Sequence, residues 1–193
     1  FVEAIGAEKV TVSVTGPFGE PLRAAYARRG EQAVVEMAAA AGLPLTGDRG
    51  DPERTTTYGV GQLLRHAVEH GCKTVLLGLG GSATNDGGCG CAAALGARFY
   101  NHRGESFLPV GGTLDQIAQI DLTELRHFLE GVRILVMCDV ENPLYGPQGA
   151  AFVFGPQKGA DAACVRRLDG QLRALDQVLR RELGMDLGTR PGS

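Results

Sequence analysis

The feature that most restricts this chain is an abrupt change of character at Leu77. Thr74-Val75-Leu76-Leu77 is a short apolar run suited to a strand buried on both faces. It passes directly into Gly78-Leu79-Gly80-Gly81-Ser82-Ala83-Thr84-Asn85-Asp86-Gly87-Gly88. The small-residue segment Cys91 to Leu95 follows and suits a helix that packs closely. Strand, glycine loop and helix in that order belong to α/β architectures, where loops at the carboxyl ends of strands meet ligands. Glycines let a backbone approach a bound group and leave N–H donors at a helix start, where an anion sits well. Here they stand beside the hydroxyls of Ser82 and Thr84, the amide of Asn85 and the carboxylate of Asp86, which is able to accept a hydroxyl proton or hold a metal ion. The same residue types also build a plain turn before a capped helix.

The flanking patterns predict a mixed sheet with packed helices. Val10, Val12 and Val14 alternate with Thr11, Ser13 and Thr15, and further runs cover Leu22 to Arg28 and Ala33 to Met37, so an antiparallel N-terminal meander is expected. Between Thr55 and Gly71, Val60, Leu63, Leu64, Ala67 and Val68 recur at helical spacing. Val132 to Met137 reads as a second buried strand, delivering Cys138-Asp139 to a loop broken at Asn142-Pro143. A long last helix is expected from Asp161 as N-cap to Gly184 as C-cap.

Composition removes several function classes. Lys plus Arg number 19 against 22 Asp plus Glu, for a net charge of -3 without blocks of like charge, so neither nucleic acid nor a membrane surface is an expected partner. No apolar run has bilayer length, and the start lacks the form of a signal peptide. The 5 cysteines include no C-x-x-C pair and read as free thiols of a reducing, cytoplasmic compartment. The chain, opening at Phe1 and closing on Gly188 to Ser193, reads as a piece of something longer.

Two phosphate motifs are tested by the loop. Walker A fails because no Lys follows the glycines. Gly78-x-Gly80-x-x-Ala83 fits the loose dinucleotide pattern, yet Ala97 to Tyr100 ends in Asn101-His102 where that pattern wants an acidic residue. Asp139 and Asn142 form a second candidate set after the later strand, with an Asx-type turn as the plain alternative. Lys158, in Gly155-Pro156-Gln157-Lys158-Gly159, is able to neutralise a phosphate or simply to be solvated. Glu36 reads as a solvent-facing strand position. His66 and His70, at i and i+4, read as an exposed helix face rather than a metal pair.

Taken together, Arg54-Thr55-Thr56-Thr57-Tyr58-Gly59-Val60-Gly61, the loop from Gly80 to Gly88, and Cys138-Asp139-Val140 with Asn142-Pro143-Leu144, continuing to Phe154 through Ala160, resemble the bacterial-type glycerate kinase family. The likeness runs through nearly the whole chain, including Glu36 to Leu43. It departs locally at Cys89-Gly90-Cys91 and at Ala41. Members are about twice as long, with an opening Asp-x-Phe-Lys-type motif and a late Gly-Glu-Gly-type motif that do not occur here. The resemblance implies that residues 1–193 form a single α/β domain, the inserted central domain of a two-domain kinase. The Rossmann-like partner domain lies outside the chain and the active site lies between the two.

The activity so implied is transfer of the ATP γ-phosphoryl group to a hydroxyl of D-glycerate, with Mg²⁺, in the cytoplasm, and the chain alone is expected to be inactive. On that reading Gly80, Gly81, Ser82, Thr84, Asn85 and Asn142 bind substrate or phosphate, and Lys158 balances phosphate charge. Asp86 or Asp139 orients the hydroxyl or holds the metal. Two alternatives stand beside it: a dinucleotide-binding oxidoreductase domain using Gly78 to Ala83, and a non-catalytic lobe that binds substrate or pairs with a second copy as a homodimer.

Overall fold

A computed structural model describes residues 6–188 and 190–192. The chain ends, on which the expectation of a longer protein rests, lie partly outside the described residues. The first three strands, β1 (Glu8–Thr15), β2 (Pro21–Arg29) and β3 (Gln32–Glu36), form the antiparallel meander that the alternation predicts. Two short helices, α1 (Ala38–Ala41) and α2 (Leu43–Thr46), lead towards α3 (Tyr58–Glu69). The strand β4 (Thr74–Gly78) then runs parallel to β3, so a five-stranded mixed sheet results once β8 (Arg133–Met137) pairs parallel on the far side of β4. Between β4 and β8 the chain makes α4 (Cys89–Ala94), the strands β5 (Arg98–Tyr100), β6 (Ser106–Phe107) and β7 (Gln119–Asp121), and α5 (Thr123–Phe128). Those three strands form a separate antiparallel sheet in the order β6-β5-β7. The chain closes with α6 (Ala150–Phe154) and the long α7 (Ala162–Leu183).

Two apolar clusters hold these parts together. In the first, α3 lays Val60, Leu63, Leu64 and Ala67 on the sheet residues Val35 and Val75, all of them closed to solvent. Each such aliphatic side chain contributes roughly 1.5–3 kcal/mol by leaving water. In the second, α7 turns Val165, Leu168, Leu172 and Leu175 towards Phe99, Leu114 and Ile117 of the smaller sheet and its approach. The ends of α7 follow expectation: Asp161 accepts from the Cys164 amide at 2.7 Å, and Gly184 takes a left-handed φ of 66°. Where α3 crosses α4 the helices touch through glycine, since a Cβ at Gly61 would strike the Cys91 carbonyl.

The buried-strand reading of Val132 to Met137 needs correction. In β8, Leu135, Val136 and Met137 are 43%, 54% and 51% exposed, and among the described residues no strand pairs with the outer edge of β8. Composition predicts an interior strand, whereas this chain supplies cover on one side only. The opposite edge, β1, alternates valine with threonine and serine, as a strand with one wet face should.

All five cysteines are free. Cys138 is exposed, Cys72, Cys89 and Cys164 are buried, and burial pushes the Cys91 thiol up to about 12. With Ellman's reagent, one thiol is expected to react promptly in the native protein and five after unfolding without reductant; fewer than five would reveal a disulfide.

Candidate functional site

The parallel strands β3, β4 and β8 end in register at Glu36, Gly78 and Met137. The loops that leave those ends therefore share one edge of the sheet. Met37 donates its amide to the Gly78 carbonyl at 2.8 Å, Leu43 to the Gly81 carbonyl at 2.9 Å, and Ala83 to the Ala41 carbonyl at 2.8 Å. The glycine loop is thus fastened along α1 and α2 by its backbone, which leaves its side chains for other work. Glu36 is exposed, as the alternation predicts.

A cleft of about 270 Å³ opens at this edge, and Gly80, Gly81, Ser82, Asp139 and Lys158 all line it. Five sequence-predicted site residues from three separate stretches therefore face one space. Gly80 and Gly81 are exposed, Gly81 holds φ at 70°, and a Cβ at Gly80 would meet nothing, so a ligand has room to approach the backbone. Asp139 is exposed on the loop after β8. Ser82 and Thr84 pair their hydroxyls at 2.9 Å.

A second chamber of about 480 Å³ lies behind the loop, against α7, and shares Ser82 and Lys158 with the cleft. Its walls include Leu144, Leu172, Leu175, Leu179 and Leu187, and Thr84, Asn85 and Asp86 face it from the loop side. Lys158 stands at the junction, half-buried, with Nζ donating to the Thr84 carbonyl at 2.5 Å. Desolvation lowers its pKa to about 8, with the Asp86 charge opposing that fall.

Asp86 is held by donors from two directions along the chain. The residue is 1% exposed, and its carboxylate accepts from the Thr57 amide and Thr57 hydroxyl, both at 2.8 Å, from the Gly88 amide at 3.1 Å and from the Gly90 amide at 3.2 Å. Thr57 in turn accepts from the Cys91 amide at 2.8 Å. The carboxylate therefore serves the N-terminal amides of α3 and α4 together, and burial raises its pKa although those four bonds oppose the rise. A group held this way positions the loop. Three of those bonds fall on Oδ2 and one on Oδ1, whereas Asp139 is exposed on its loop. Gly90 is glycine for the same reason, since a Cβ there would strike Thr56 Oγ1 and crowd the Asp86 carboxylate.

Asn142 is also drawn elsewhere: its Nδ2 donates to the Gln148 carbonyl at 2.8 Å, which braces its own loop. The dinucleotide reading loses its topology, because the segment after α4 becomes β5 of the smaller antiparallel sheet and does not return beside β4. His66 and His70 stack with ring centroids 3.8 Å apart, and no group of three or more His, Cys, Asp or Glu suited to a metal occurs among the described residues. Sequence reasoning missed two buried acids on α7. Asp169 accepts from the Gly146 amide at 2.5 Å and Asp176 from the Leu187 amide at 2.9 Å, tying the loops at those two residues to α7. Their helical spacing beside Leu168, Leu172 and Leu175 carried the signal: an acid on an apolar stripe requires a partner.

The glycerate kinase family model matches residues 1–193. The chain belongs to the glycerate kinase family. It is 44% identical, over 100% of its length, to a glycerate kinase of Halalkalibacterium halodurans, and 42% identical, over 93%, to the glycerate 2-kinase of Escherichia coli. It covers 51% and 48% of those two proteins, so the chain spans about half the length of the curated relatives it matches. Among solved structures, a protein provisionally named glycerate kinase 2 from Salmonella typhimurium LT2 superposes with a TM-score of 0.94 at 43% identity, over 99% of this chain and 52% of the other. The mixed α/β fold expected of a glycerate kinase is therefore the one observed.

Proposed function

We propose that the protein to which this chain belongs is an ATP-dependent glycerate kinase, transferring the γ-phosphoryl group to D-glycerate, and that residues 1–193 act as one domain carrying the acceptor side of its site. The observation that supports this best is the meeting of Gly80, Gly81, Ser82, Asp139 and Lys158 at one cleft, in a chain matched to the family along its whole length. Phosphoryl transfer asks a protein mainly for positioning and charge neutralisation. The exposed glycine amides and the Lys158 ammonium suit a phosphate, and the open carboxylate of Asp139 suits the attacking hydroxyl or a Mg²⁺ ion. Mg²⁺ needs only one or two protein carboxylates, because phosphates and waters complete its shell, and when bound it would neutralise charge on the transferred group. The other half of the protein, in this reading, covers the exposed face of β8 and supplies the facing wall. No described helix is long and apolar enough to cross a membrane, and a cytoplasmic setting suits five free thiols.

The test is ADP release on adding D-glycerate to the full-length protein with ATP and Mg²⁺, and its absence would end the proposal. Lys158 adds a pH signature. Its charged form is the useful one, so kcat/KM is expected to fall as pH rises through about 8, where the desolvated ammonium loses its proton. In Lys158→Arg the guanidinium stays charged past pH ~12, and the alkaline limb should move out of that range with whatever activity remains. A limb still centred near its original pH in the Arg variant would assign it to another group.

A further inference from the structure

Among the described residues, one buried side-chain nitrogen or oxygen has no hydrogen-bond partner: Nδ2 of Asn85, in a residue 6% exposed. Leaving an amide donor unpaired in the interior costs about 1–3 kcal/mol, and sites that accept this cost are commonly those where a ligand supplies the acceptor. Asn85 lines the leucine-walled chamber, with Nδ2 itself closed to solvent. A positive charge is fixed to its own backbone, since the Lys158 ammonium leans on the Thr84 carbonyl, the peptide that joins Thr84 to Asn85. A lysine ammonium has three protons to donate, and this bond uses one. The pair therefore offers a neutral donor and a charged donor at one wall of a largely apolar space.

Charge decides which anion fits. Asp86 already sets one carboxylate in this wall, spread over four donors. Arg190 also lines the chamber and offsets the Asp86 charge, so a single further negative charge opposite the Lys158 ammonium is balanced, whereas a phosphate dianion among leucines would be left short of countercharge. Phosphate is better served in the outer cleft, by the exposed amides of Gly80 and Gly81. We propose that Asn85 Nδ2 and Lys158 Nζ form a clamp for the carboxylate of the acceptor, so that this loop selects hydroxy acids over neutral polyols. Ser82 and Lys158 line both spaces, and an acid held at their junction presents its hydroxyl towards Asp139. The proposal rests on the kinase reading above for the identity of the acid as glycerate.

Calorimetry on the full-length protein separates the two. D-glycerate is expected to bind at least about 10-fold tighter than its neutral isostere glyceramide, and glycerol to bind more weakly still. Asn85→Asp, which keeps the shape and turns a donor into a repelling acceptor, should weaken glycerate by at least about 30-fold while the Kd for ATP changes less than about threefold. Equal affinity for acid and amide, unchanged glycerate affinity in Asn85→Ala, an equal loss of ATP affinity, or no glycerate binding at all would overturn the clamp. The acid-against-amide comparison uses unmodified protein, so it decides even if Asn85→Asp does not fold. Asn85-dependent glycerate binding without ADP release would leave the clamp standing and remove the kinase reading; ADP release with glyceramide used equally well would do the reverse.

Discussion

Asp86→Ala in the complete protein is expected to lose the native fold before it loses any chemical step. The substitution leaves the Thr57 amide and hydroxyl and the Gly88 and Gly90 amides without their acceptor in a site closed to water. Leaving a buried donor unsatisfied costs about 1–3 kcal/mol, and with four donors affected the loss is a large share of the ~5–15 kcal/mol that holds a domain together. By calorimetry the melting temperature should drop by roughly 10 °C or the protein should not be recovered folded. Asp86→Asn distinguishes this from catalysis. The amide oxygen can keep the three bonds now made by Oδ2, and the buried charge is gone. That charge has its pKa raised by desolvation, so in the pH window between the unfolded carboxylate value and the raised folded one, the folded state binds more protons and Asp86 lowers stability as pH rises. The Asn variant should therefore stay within about 1.5 kcal/mol of the parent and keep most of its kcat. A folded Asn variant with kcat down a hundredfold or more would instead restore Asp86 as a chemical group, since general bases typically carry about 10²–10⁴.

The case of Asp86 marks how far a sequence reading reaches. Periodicity alone found the meander, α3, β4 and α7 with both of its caps, because those elements obey local rules of alternation and capping. It also found that Ser82, Asp139 and Lys158 belong together, through the family likeness. It did not find what each polar residue near the glycines touches. Asp86 and Asn85 are neighbours of similar shape, yet one is saturated by four donors and the other has an unpaired amide; the difference comes from Thr57, 29 residues away in the chain. Thr55, Thr56 and Thr57 read as a helix start and are in fact all buried, with Thr55 Oγ1 donating to the Ala83 carbonyl at 2.9 Å. Long-range pairing of this kind leaves no period in a sequence. The error at β8 is of another sort: its apolar run has the composition of an interior strand, and among the described residues no strand pairs with its outer edge.

If the proposed second half covers that open face, it governs the largest effect expected of the chain as it stands. Residues 1–193, purified alone with ATP, Mg²⁺ and D-glycerate, should release no ADP above a blank. In-line transfer needs nucleotide, metal and acceptor fixed together, and a displacement of about 1 Å can cost a hundredfold. A cleft with one wall open to water also lacks the low dielectric that strengthens its charged contacts. The exposed β8 supplies a structural control. Val136 is 54% exposed here, so Val136→Lys should leave the stability of the isolated chain within about 0.5 kcal/mol and reduce its binding of the apolar dye ANS. In the complete protein the same substitution would place an ammonium against the covering half and should destabilise it by about 2–4 kcal/mol. Opposite responses in the two lengths would locate the cover on β8. Equal, small responses would place the other half elsewhere, and turnover by residues 1–193 alone would show that this cleft needs no second wall.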